Sequence, residues 1–106
     1  MKPFSIDPAI VDSYISAGEI ATAAERHFAE EIDNAREDLR HLEREMARKR
    51  QTNATENPGD LAQLPILRDK LARLQAQAAE GHAQRADEIY IASLARRAVA
   101  TAGMVL

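Results

Sequence analysis

The residues able to do chemistry are few, and their spacing decides how far each can be taken. Helical proteins build metal sites from Glu-x-x-His pairs on facing helices. Here His27 precedes Glu31, and His41 follows Asp38, but on a helix both histidines fall beside the apolar stripe rather than in it. His82 alone lies on a stripe, where it is expected near Glu31 and hydrogen-bonded to it. A helical metalloprotein using His27, Glu31 and His82 is the alternative that these three residues leave open. With no cysteine, thiolate zinc sites, disulfide scaffolds and thiol nucleophiles are excluded. No Ser-His-Asp arrangement, paired carboxylates or glycine-rich phosphate loop can be traced. The expectation is a non-enzymatic chain with no catalytic residue, no cofactor and no metal.

Charge offers two further possibilities. Arg36, Arg40, Arg44, Arg48, Lys49 and Arg50, with Arg68, Lys70 and Arg73, could be a phosphate-binding row, yet residues 36–73 hold nine basic and seven acidic groups. Interleaving of that kind marks a solvated face, so nucleic acid is not the expected partner. Residues 1–35 carry seven acidic groups against two basic ones. Glu30, Glu31 and Asp33 could therefore steer a small acidic inhibitor of phage type into the basic groove of a nucleic-acid-binding enzyme.

The elements that would hold these residues are helices. A chain of 106 residues has room for one domain, and one of that size buries a modest share of its surface. Of the 45% hydrophobic fraction much is alanine, and aromatic residues make up 4%, which favours close two-layer helix packing over a thick core. No apolar run is long enough to cross a bilayer, and Met1 to Asp7 do not resemble a secretion signal, so a cytoplasmic or particle-associated protein is expected.

Asp7 before Pro8 is a helix start, since the carboxylate caps free amides and proline at the first helical position loses no needed donor. A short helix over about 8–17 is expected to stop at Gly18. A long helix over about 19–52 follows, with Phe28, Ile32, Ala35, Leu39, Leu42 and Met46 at steps of four and three, the pattern of a heptad seam. Residues 53–60 form the expected loop, with Asp60 opening the next helix as its capping residue. The second long helix spans about 61–102, its seam carried by Leu67, Leu71 and Leu74 and slipping phase at Gly81 toward His82, Ala86, Ile89, Ser93 and Arg96.

An all-α fold results: a long, coiled-coil-like antiparallel helical hairpin over residues 1–106, with the short N-terminal helix packed at its open end. A turn near Asn57 pairs Leu39 with Leu74, Leu42 with Leu71 and Met46 with Leu67. Tyr90, Ile91 and Leu94 are left uncovered unless the first helix lies on them. The apolar Met104, Val105 and Leu106 are expected to dock rather than fray. The function expected is that of a bacterial or phage interaction or assembly protein, a structural component, connector or chaperone-like hairpin. It would bind a protein partner or further copies of itself through Tyr14, Phe28, Tyr90, Ile91 and Leu94.

Overall fold

The computed structural model describes residues 7–52 and 57–105, the last three of these by backbone alone. The docking expected of Met104, Val105 and Leu106, and the centre of the expected loop at 53–56, lie outside the described side chains. The described residues form three α-helices and no strands. Asp7 caps the first: its Oδ1 accepts from the Ala9 amide at 2.9 Å and its carbonyl from the amides of Ile10 and Val11. Helix α1 then runs unbroken over Pro8–Gln51, helix α2 over Pro58–Ala79 and helix α3 over His82–Val105.

The break expected at Gly18 is absent, and among the described residues 8–17 form the start of α1 rather than a separate helix. Glycine inside a helix costs only ~1 kcal/mol relative to alanine, too little to end one whose neighbours all favour continuation. The break falls instead at Gly81, within the span expected to be one long helix. Glu80 leaves the helical region with ψ 123°, its amide still donating to the Ala76 carbonyl, and Gly81 takes φ +76°. An L side chain disfavours that conformation, and a glycine reaches it freely.

Helix α2 also starts earlier than expected. Asn57, in extended conformation, accepts from the Gly59 amide at 2.9 Å through its side chain, and Pro58 occupies the first helical position. Asp60, expected to be the cap, is already inside the helix. Pro65 is accommodated within α2.

The heptad seam read from Phe28 to Met46 extends over most of α1. Val11, Gly18, Glu25, Ile32, Leu39 and Met46 form one seven-residue series, and Ala21, Phe28, Ala35, Leu42 and Lys49 the other; none of them is exposed. Its early part escapes a search for large apolar residues because it is built from Gly18, Ala21 and the charged Glu25.

Contacts divide the chain into two compact units, each using part of α1. The loop unit, His27–Glu80, packs the later half of α1 with α2. Lys49 donates to Asp60 Oδ2 at 2.6 Å, and Leu42 and Leu67 line one common cleft while Met46 and Leu64 line another. Residue numbers rise along α1 as they fall along α2. The pairing is offset by about one helical turn from the expected one, which set Met46 against Leu67. An earlier start of α2 accounts for that offset. Within this unit Ala35, Leu42 and Met46 are buried, and α2 contains no buried residue.

The terminal unit, Met1–Arg26 with Gly81–Leu106, packs the start of α1 with α3 through very small side chains. Val11, Ala21, Ala92 and Ala95 are buried, Ala92 completely. Gly18 faces Ala92 so closely that a Cβ added there would overlap the Ala92 Cβ, and it would lie 3.1 Å from the Glu88 carbonyl oxygen. The inward stripe of α3 runs through Arg85, Glu88, Ala92 and Ala95; of the expected one, Ile89 and Ser93 are half-buried, whereas His82, Ala86 and Arg96 are exposed.

Candidate interaction surface

Where a charged residue occupies the seam it meets its opposite. Arg85 Nε donates to Glu25 Oε1, while His82 Nδ1 lies 3.1 Å from both carboxylate oxygens. The Arg85 hydrogen bond, foremost, and then His82 hold the Glu25 carboxyl below its ordinary value, against the partial desolvation that pushes it up. The glutamate expected beside His82 was Glu31; the helical offset puts Glu25 there instead. Arg96 reaches toward Glu19 at 3.7 Å on the same unit.

The loop unit carries an open groove of about 650 Å³ lined by Glu37, Asp38, His41, Glu45, Lys49 and Asp60 over Leu42 and Leu67. Its carboxylates are largely engaged: Arg44 donates to Glu37 at 2.9 Å, Arg48 to Glu45 at 2.9 Å, and Lys49 to Asp60. Arg48, by hydrogen bond and by charge, lowers the Glu45 carboxyl. A general acid working near neutrality would need the opposite shift. Among the described residues no three His, Asp or Glu side chains cluster as a metal ion would require.

Of the residues expected in the hairpin core, Leu42 and Met46 are buried, and Phe28, Ile32, Leu39, Leu67, Leu71 and Leu74 are half-buried. The Phe28 ring stands 6.1 Å from that of His27, tilted by 58°. Of the residues expected at an interface, Glu30 and Asp33 are exposed and Glu31 half-buried, with Arg36 4.0 Å from Asp33. These belong to the loop unit. Tyr14, Tyr90, Ile91 and Leu94 belong to the terminal unit, and all four are exposed, Tyr90 to 64%.

The terminal unit is where uncovered apolar side chains gather. Ile10, Tyr14, Ile20, Tyr90, Ile91, Leu94 and Val99 are exposed there, against Leu61 and Ile66 in the loop unit. The start of α1 lies on the Ala92 side of α3, so the cover expected for Tyr90, Ile91 and Leu94 does not form. A further cleft of about 330 Å³, lined by Pro8, Val11, Asp12, Ala98, Val99 and Ala102, extends this apolar surface. Ile10, Ile20 and Val99 are exposed on the same unit as the residues expected at an interface.

No helix among the described residues is long and apolar enough to cross a membrane. Comparison of the chain with protein-family models, with curated proteins and with solved structures finds no match in any of the three.

Proposed function

We propose that this chain is a non-enzymatic interaction or assembly protein, an antiparallel helical hairpin whose terminal unit presents an apolar surface to another protein. The observation that carries this is the concentration of exposed Tyr14, Tyr90, Ile91, Leu94 and Val99 on a unit whose own interior is filled by Gly18, Ala21, Ala92 and Ala95. Singly exposed apolar residues are ordinary, whereas large ones gathered on one small unit mark a contact surface. The unit has placed its small residues inside and its large ones outside. Such a distribution favours partner binding over stability of the isolated chain. The hairpin reading is supported by the opposed residue order of the contacts within each unit. A bacterial or phage protein of the cytoplasm, or of a particle, is the setting proposed for it.

The test is a photoreactive phenylalanine analogue placed at Ile91 and, as control, at the exposed Gln75 of α2, in the cells that make the protein. A discrete covalent protein adduct from position 91 and none from position 75 is the expected result. Equal labelling from both positions, or none from 91, overturns the proposal.

A further inference from the structure

The outer face of α3 carries Asp87, Tyr90, Leu94 and Arg97 at steps of three, four and three, all exposed, on the side away from the buried Ala92 and Ala95. That spacing makes one continuous stripe on a helix. Its order is acid, aromatic, aliphatic, base. The neighbouring charges of α3 have partners, Gln84 donating to Glu88 at 3.2 Å and Arg96 lying beside Glu19. Asp87 and Arg97 have no ion-pair partner among the described residues.

We infer that this stripe is the contact between two copies of the chain, their α3 helices packed antiparallel about a two-fold axis level with Ala92. The inference rests on the interaction reading above and names its partner. In a two-fold contact residue i meets j and j meets i, so a single stripe must complement itself when reversed. This one does. With the axis at that level Asp87 meets the partner's Arg97, Tyr90 meets the partner's Leu94, and each pairing occurs twice. Ala83 then faces the partner's Thr101, small residues that let two helices approach closely. Parallel packing would set Asp87 against Asp87 and Arg97 against Arg97, so charge selects the orientation.

The measurement is sedimentation equilibrium of the full chain over a concentration series, with far-UV circular dichroism confirming helix content in each variant. A monomer–dimer equilibrium is expected. Asp87→Arg and Arg97→Asp each weaken it by about tenfold or more, and the double exchange Asp87→Arg with Arg97→Asp restores it. Tyr90→Ser with Leu94→Ser abolishes the dimer while helix content persists. A strict monomer at the highest soluble concentration overturns the inference, and so does a dimer indifferent to all these exchanges. A monomer whose position-91 photoadduct has a mass other than twice the chain's also overturns it, while leaving the wider interaction reading in place. No adduct of any kind brings down both.

Discussion

Gly18 of α1 faces Ala92 of α3, and the missing side chain of the glycine is what lets the helices approach there. A Cβ built on Gly18 would overlap that of Ala92, an atom fixed directly to the α3 backbone and unable to swing aside. Gly18→Ala therefore has a sign that depends on packing. On an exposed helix the change would stabilise by ~1 kcal/mol through propensity. Here α3 must move, and a net destabilisation of about 1–3 kcal/mol is expected, as for overpacking in a tight interior. Urea denaturation measures it. A gain in stability would show that the helices do not pack through this pair.

At Gly81 the same substitution acts through the backbone. With φ +76°, Gly81→Ala should cost roughly 1–2 kcal/mol, and Gly81→Asn distinctly less, because asparagine tolerates the left-handed region better. The added Cβ would also lie 3.1 Å from the Arg85 guanidinium that holds Glu25, so sterics add to the cost. Equal losses from Ala and Asn in a melting experiment would contradict this.

Glu25 gives the terminal unit an acid limit. Its folded carboxyl is held below the unfolded value of 4.5, chiefly by Arg85 and then by His82. The stabilisation is accordingly complete above that pH and lost as the pH falls through the folded value. Glu25→Gln should lower the thermal midpoint at neutral pH and flatten its fall on acidification. Arg85→Ala should do the same, and the double variant should add little to either. Midpoints followed by circular dichroism across the acid range test it; unchanged acid sensitivity in Glu25→Gln would falsify the assignment.

The two candidate caps of α2 separate cleanly. Asn57→Ala removes the acceptor of the Gly59 amide and should cost ~1 kcal/mol and fray the first turn. Asp60→Asn leaves that turn intact and removes the charge facing Lys49. Amide exchange at Gly59 and Asp60 distinguishes them: protection should fall in the first variant and persist in the second.

Core and surface leucine-type positions should differ in the same way. Leu42, 7% exposed, loses about 2–5 kcal/mol on truncation to alanine, with the lower figure expected beside so thin a core. Ile66, 62% exposed, should lose less than about 0.5 kcal/mol. Comparable losses in urea titrations would mean that α2 packs by another face.

The contrast between these positions also marks what the sequence could reveal. Phe28 to Met46 stood out as a seam because large apolar residues carry the heptad period strongly. The extension through Glu25, Ala21 and Gly18 did not, since alanine and glycine carry almost no hydrophobic signal and a charge reads as solvent-facing until Arg85 is known to cover it. Two glycines offered equal excuses to break a helix. What lies against each decides between them: Ala92 demands the absence of a side chain at Gly18, whereas Gly81 is needed for its backbone angle. The helical offset followed from a local matter, Asn57 rather than Asp60 capping α2. Tyr90, Ile91 and Leu94 were legible as surplus apolar residues because the α3 stripe carries more of them than one facing helix can use.

The glycine and alanine interior of the terminal unit also biases what mutation can do there. Any replacement of Gly18 adds volume, and Ala21, Ala92 and Ala95 can shrink only to glycine, at a cost in helix propensity. Random change at these positions therefore erodes the packing almost regardless of which residue arrives. The leucine and methionine seam of the loop unit can exchange Leu for Met or Ile at modest cost. A library of single variants should consequently show a nearly closed set of tolerated residues at Gly18 and Ala92, and a broad apolar one at Leu39, Leu67 and Leu71, so that the two ends of α1 drift at different rates.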